Sequence, residues 1–226
     1  MKILAVILAR KGSKRLPNKN KKILIDKPLF LWSVDAAKNI NEICDILVST
    51  DDEDIIELSK KNSALAPWKR PSSLCRDDST SEDALIHALE WYEKNISYVD
   101  GVILLQPTSP LRKKETIKKA LELFKKKNKP IIGVKKEKVG NENSFYIDEN
   151  QCLVKFSRSL LLSDRSSFKL NGAIYIINSN DLKTTRKLFN KKTLAFEMSQ
   201  EESIDIDNIE DFKKAENYLM SNNIEK

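Results

Sequence analysis

Two groups of side chains in this 226-residue sequence could do chemistry, and they lie at opposite ends of it. In "VILARKGSKRLPNKN", residues 6–20, an apolar run gives way to a loop crowded with positive charge. Arg10, Lys11, Lys14, Arg15, Lys19, Lys21 and Lys22 all precede Asp26, the first acid of the sequence. Gly12 lets a backbone approach a phosphate, Ser13 supplies a hydroxyl, and Pro17 stiffens the exit. The stretch is neither GxxxxGK[ST] nor GxGxxG, so it is no Walker or Rossmann loop. On charge alone, a solvated basic face and an anion site are evenly matched. Position favours the anion site, because ligands of open α/β sheets sit beyond the carboxyl ends of the strands.

The second group is "SIDIDNIEDF". Its alternation predicts a strand with Ile204 and Ile206 on one face and Asp205 and Asp207 on the other. Such a pair alone is more often the wet face of an edge strand. Beside an anion loop it becomes a Mg²⁺ site, since Mg²⁺ takes one or two protein carboxylates and completes its shell with water and substrate phosphates. "VSTDDEDI" offers a further acidic cluster, Asp51 with Asp52 to Asp54, which helix capping explains more cheaply. His87 is the only histidine. It lies beside an apolar helical stripe, is read as structural, and excludes any triad or metal site built on several histidines.

The elements that must position these groups alternate along the sequence. Short β-rich runs at residues 3–9, 46–50, 101–105, 130–134 and 173–177 are separated by segments of helical period, which predicts an α/β fold with a largely parallel sheet. "STSEDALIHALEWY" carries cap candidates Ser79, Thr80 and Ser81 and a stripe of Ala84, Leu85, Ala88, Leu89 and Tyr92. "KETIKKALELF" puts Ile117, Ala120, Leu121 and Phe124 on one stripe. "NIEDFKKAENYL" does so with Ile209, Phe212, Ala215 and Leu219, with Glu210 and Asp211 in its first turn. Residues 135–170 break the alternation: "SFYIDENQCLVKFSRS" reads as two short strands about a turn at 148–150. With no repeat or linker, one domain spanning 1–226 is expected.

Composition narrows the classes. Lysine and arginine exceed aspartate and glutamate by 40 − 33 = 7, which suits an acidic small molecule, a nucleic acid or an anionic membrane surface. A nucleic-acid module would interleave exposed aromatics with a basic stripe, whereas Trp32, Trp68 and Trp91 are scattered in sequence. Cys44, Cys75 and Cys152 form no CxxC pair and suggest neither a disulfide framework nor a thiolate zinc site, in keeping with a reducing cytoplasm. The apolar run at 3–9 is too short for a signal peptide or a membrane span.

With these pieces in place the sequence resembles the acylneuraminate cytidylyltransferases, the CMP-sialic acid synthetase family, which activates nine-carbon ulosonic acids with CTP. "ILARKGSKRLPNKN", "VSTDDEDI", "RPSSLCRDDSTSEDALIHAL", "LLQPTSPLR", "NGAIYI" and "SIDIDNIEDF" follow in family order over nearly the whole length. The resemblance implies a Rossmann-like nucleotidyltransferase fold, three layers α/β/α with a small dimerisation extension at 135–170. It implies CTP contacts from Ala9, Arg10, Gly12, Ser13, Lys14, Lys19 and Asn20, with Arg70, Thr80 and Ser81 near the nucleotide. Gln106, Ser109, Asn171 and Tyr175 would line the sugar site, and Asp205 and Asp207 would hold Mg²⁺. Arg10, Lys19 and Asp207 are the expected catalytic groups, with Asp207 or a metal-bound water as the base.

The sugar-facing half departs from the family pattern. The family's histidine-proline-lysine run is replaced by "KKEKVGNENSFY", and its Arg…Leu-Pro segment by "SRSLLLSDRSSFKL". Arg158 and Arg165 are the candidates for gripping the sugar carboxylate, and legionaminic or pseudaminic acid is as reasonable a substrate as N-acetylneuraminate. A cytoplasmic homodimer without nucleic-acid or membrane partners is implied. The rivals are a 3-deoxy-manno-octulosonate synthetase, a basic nucleic-acid-binding module, and a non-catalytic relative that binds nucleotide for regulation.

Overall fold

The structure is a computed structural model that describes residues 1–138, 143–156 and 166–223. Its centre is an eight-stranded sheet whose backbone runs in the order β10 (Leu194–Glu197), β6 (Ile131–Glu137), β9 (Ser167–Asn178), β5 (Gly101–Leu104), β1 (Ile3–Leu8) and β4 (Ile43–Ser49). β1 pairs in parallel with β4 and β5, and β10 in parallel with β6. β9 runs antiparallel to both of its neighbours, so the sheet is mixed although most of its strands share one direction. The two remaining strands, β7 (Phe145–Ile147) and β8 (Leu153–Lys155), form the hairpin expected about residues 148–150 and lean on β9. A small second sheet pairs β2 (Ile23–Leu24) with β3 (Lys27–Pro28).

Period-two alternation in the central strands divides the core into two layers. Ile3, Ala5 and Ile7 of β1 face α1 (Leu29–Ala37), α2 (Glu53–Lys61) and α4 (Lys114–Lys127), whose Val34, Ile55 and Phe124 belong to the same cluster. Leu4 and Val6 point the other way, toward α3 (Ser81–Asn95) and α5 (Ser179–Thr185). β1 is therefore covered by apolar surface on both sides, as an inner strand sandwiched by helices requires. The stripes expected on α3 and α4 are buried at every named position. Thr80 is the N-cap of α3 and accepts the Asp83 N–H, and Asp52 caps α2 by accepting from the Asp54 N–H.

Two expectations change. α6 (Ile209–Asn223) buries Phe212 and Ala215 but leaves Ile209 exposed, because its first turn stands beyond the edge of the core. Residues 201–207 form no strand: a turn leads into irregular chain. The Ile206 N–H donates to the Thr108 carbonyl at 2.8 Å and the Asp207 N–H to the Asp211 carboxylate, so the backbone is satisfied without a sheet partner. The alternation survives nonetheless, with Ile206 fully buried and Asp205 exposed.

A third apolar cluster joins the two ends of the chain. Leu16 of the basic loop, Leu111, Ile206 and Phe212 pack together with Leu24 and Leu29. Trp68 and Trp91, far apart in sequence, stack with ring centroids 4.7 Å apart, and His87 meets Trp68 edge-on. The histidine is thus a packing residue. Its imidazole is held below its usual range, first by desolvation.

Phe124 is fully buried between α4 and the sheet. Phe124→Ala is expected to lower unfolding free energy by about 3–5 kcal/mol, the range for emptying an aromatic site in a core. Denaturant melts check this; a loss below ~1 kcal/mol would show that the α4 layer is not packed as described.

Candidate active site

The loop after β1 is built to keep its cations in place. Asn20 is buried and donates from Nδ2 to the Arg10 carbonyl at 2.9 Å, bracing the loop across its base. The Lys11 N–H donates to Asp51 Oδ1 at 2.7 Å, and Lys21 pairs with Asp52 at 2.9 Å and Asp54 at 2.6 Å. "VSTDDEDI" is therefore both a helix cap and an anchor for the basic loop. The Lys21 ammonium is spent on these contacts, Lys11 is held through its backbone N–H, and Lys22 lies over the Phe212 ring.

Arg10, Lys14, Arg15 and Lys19 line one cavity of about 420 Å³. Its wall includes Arg10, Gly12, Ser13, Lys14, Arg15, Lys19 and Asn20 from the loop and Ser81 from the first turn of α3. Gln106, Pro107 and Thr108 after β5 complete it together with Asp205 and Asp207. Groups about 190 residues apart in sequence thus share one pocket, and Lys19 and Arg15 both reach the far segment. Lys19 Nζ donates to the Ile206 carbonyl at 2.7 Å and lies 3.4 Å from Asp207 Oδ1. Arg15 donates to Asp207 Oδ2 at 2.8 Å. Arg10 and Lys14 meet Asp77, at 3.2 and 2.5 Å. The space beside Gly12 is open, with no atom within 4 Å of where a Cβ would stand. α3 aims its N-terminal turn at the cavity through Ser81, an orientation that favours anions.

The aspartate pair fits a divalent cation. Asp205 is open to solvent on one side but sunk among protein atoms on the others. This desolvation raises its carboxyl, Thr108 opposes the rise by hydrogen bonding, and the charge of Asp207 adds to it. A dication would relieve that repulsion. Among the described residues no three His, Cys, Asp or Glu gather around a metal position, so the donor set is two carboxylates, which suits Mg²⁺ completed by phosphates rather than a protein cage.

The other expected residues take several places. Ala9 is buried, its N–H on the Ser49 carbonyl at 3.0 Å. Arg70 is buried against the end of β4, with Nε donating to Ser49 Oγ at 2.9 Å, and desolvation lowers its guanidinium. Thr80 serves as a cap and does not line the cavity. Tyr175 is pushed up to about 12 by desolvation, then by the charges of Asp205 and Glu82. Ser109 is fully buried and stands close to Gly172, whose φ of +74° and missing Cβ leave room for the Gln106 amide. Asn171 is not on this cavity. Its amide donates to Ser203 Oγ at 3.0 Å and accepts the Ala173 N–H, and it lines a neighbouring cavity of about 380 Å³ that shares Asp205 and Asp207. Arg158 and Arg165 lie outside the described residues.

Sequence reasoning missed several contributors. Arg15 counted only toward charge, and Thr108 carried no signal beyond its motif. Arg112, the last residue of "LLQPTSPLR", proves to be a buried cation lowered to about 9 by desolvation. It donates to the Ala173 carbonyl, to Ser33 Oγ at 2.7 Å and to the Gln106 carbonyl at 3.4 Å, tying the loop after β5 to β9.

The sequence is 34% identical over 227 residues to CMP-N,N'-diacetyllegionaminic acid synthase of Legionella pneumophila, covering 98% of each chain. It is 32% identical to pseudaminic acid cytidylyltransferase of Campylobacter jejuni, covering 95% of each. It is 33% identical to N-acylneuraminate cytidylyltransferase of Escherichia coli, matching 95% of this chain and 51% of that longer protein. A solved structure of CMP:2-keto-3-deoxy-manno-octonic acid synthetase complexed with CTP superposes with a TM-score of 0.79 over 98% of this chain and 100% of the other, at 18% identity, which establishes the nucleotidyltransferase fold. The family model described as cytidylyltransferase matches residues 4–224. This chain is a nucleotidyltransferase enzyme and belongs to the cytidylyltransferase family.

Proposed function

We propose that the protein transfers CMP from CTP to the anomeric hydroxyl of a nonulosonic acid, with release of pyrophosphate. The observation that carries this reading is the single cavity in which Arg10, Lys14 and Lys19 face Asp205 and Asp207. The names of the relatives, legionaminic, pseudaminic and N-acylneuraminate enzymes, support the substrate class. The sugar oxygen attacks the α-phosphorus in line. A new phosphorus–oxygen bond forms, the bond from the α-phosphorus to the β-phosphate bridge breaks, and the hydroxyl proton leaves toward the aspartate side.

Charge and position do most of the work in such a transfer. Arg10, Lys14 and Lys19 take the triphosphate and balance the charge that builds on the departing pyrophosphate. Asp205 and Asp207 would hold Mg²⁺, which when bound adds neutralising charge at the phosphates. Gln106 and Tyr175 border the sugar end. The reading extends to a homodimer in the cytoplasm, with the β7–β8 hairpin and the rest of 135–170 as the dimerisation segment. A second substrate, 3-deoxy-manno-octulosonate, is motivated by the shared fold alone.

The direct test is pyrophosphate release from CTP against a panel of legionaminic, pseudaminic and N-acetylneuraminic acids and the octulosonate. Turnover is expected with one of the nonulosonic acids. Turnover with the octulosonate alone, or none with any acid, would refute the assignment.

Asp207→Ala is expected to cut turnover by about a thousandfold or more, as loss of a metal-site ligand and its charge stabilisation should, while circular dichroism stays native. A folded variant with wild-type rate would contradict the role given to the pair.

Lys19→Ala is predicted to weaken CTP binding by roughly 10- to 100-fold at low salt, the range for losing a hydrogen bond to a charged group in a partly buried site. Calorimetric titration reads this out, and an unchanged affinity would remove Lys19 from the phosphate site.

A further inference from the structure

The carboxylate pair sits on chain with no regular structure, yet it must be held closely if it is to bind a metal. Besides the bonds already described, from Lys19 to the Ile206 carbonyl and from the Asp207 N–H to Asp211, three attachments suspend that chain. Downstream, the Ile206 N–H donates to the Thr108 carbonyl at 2.8 Å. In the middle, Ser203 Oγ accepts from Asn171 of β9 at 3.0 Å. Upstream, Glu202 is buried and reaches α4, where its Oε1 accepts the Lys113 N–H at 2.8 Å and the Thr116 hydroxyl at 2.6 Å.

This third attachment is unlike an ordinary cap. Lys113, the N-cap residue of α4, makes no side-chain capping bond, and its own N–H is taken by a carboxylate from 89 residues further on. A negative charge is favoured there by the helix dipole and by Arg112, the buried cation preceding Lys113, whose charge interacts with Glu202. Arg112 in turn holds the carbonyls of Gln106 and Ala173. Glu202 therefore ties the aspartate segment to the node that fixes the loop after β5 and strand β9.

We propose that Glu202 is a positioning residue for Asp205 and Asp207, clamping their segment onto the first turn of α4 so that both carboxylates face the cavity. The inference rests on the reading of Asp205 and Asp207 as metal ligands. Glu202 touches neither substrate nor metal. It acts through Ser203 and Ile204, the two residues that separate it from Asp205, and groups that orient metal ligands typically change metal affinity by 10–100-fold when lost.

Amide hydrogen exchange of residues 203–208 in the metal-free protein, with Mn²⁺ binding in the presence of CTP followed by electron paramagnetic resonance, tests this. Glu202→Ala is expected to speed exchange in that segment and to weaken Mn²⁺ binding about tenfold. Glu202→Gln, which keeps an acceptor oxygen in the same place, is expected to restore most of both. A folded Glu202→Ala protein with wild-type exchange would overturn the clamp. Faster exchange with unchanged Mn²⁺ affinity would overturn its positioning role. If the wild type with CTP binds no Mn²⁺, the metal assignment has failed and takes the inference with it, whatever the exchange data show. Should Glu202→Ala fail to fold, Thr116→Val removes one of the two donors and is expected to weaken Mn²⁺ binding by a smaller factor; wild-type binding there would overturn the proposal.

Discussion

The site depends on a closure between chain ends: Lys19, from the first loop, donates to the carbonyl of Ile206, from the last. The ammonium is mostly sheltered, its side chain only 12% exposed, so the bond is shielded from competing water. Burial of Leu16 and Ile206 in one apolar cluster stabilises the same junction without reference to charge. Apolar contact thus brings the segments together while Lys19 fixes their register. The flanking side chains are left with one direction to face. Arg15 and Lys19 on one side, and Asp205 and Asp207 on the other, look into a common cavity.

That arrangement places opposite charges within reach of each other, and the partners they take matter for binding. Arg10 and Lys14 share Asp77, and Arg15 pairs with Asp207, all with substantial exposure. Exposed pairs of this kind contribute little to stability. Phosphate oxygens can therefore replace them at small cost, and a metal ion can take Asp207 from Arg15. The contacts of Lys11, Asn20 and Lys21 use backbone groups, a buried amide and a largely buried carboxylate. These hold the loop's shape while its outward cations exchange partners.

Much of this architecture was legible in the sequence, for physical reasons that vary by element. The buried stripes of α3 and α4 follow from a 3.6-residue period that only one helix face can satisfy. β1 is apolar at every position because helices cover both sides of it. The reversed direction of β9 left no trace, since alternation is the same whichever way a strand runs. For the same reason "SIDID" read as a strand: Ile206 is buried and Asp205 is not, but the bonds that satisfy its backbone come from Thr108 and Asp211, which no local pattern encodes. Asn171, expected to line the sugar site, stands on the cavity that shares Asp205 and Asp207, and its hold on Ser203 is a contact that no local pattern encodes. Glu202 and Arg112 were invisible because a charged residue in a polar stretch looks solvated until the fold buries it.

The most direct measurement is a diffraction structure of the protein soaked with CTP and Mn²⁺, read by anomalous scattering. The account predicts a manganese peak in contact with Asp205 and Asp207 and a triphosphate against Arg10, Lys14 and Lys19. A nucleotide bound elsewhere, or manganese away from both aspartates, would contradict it.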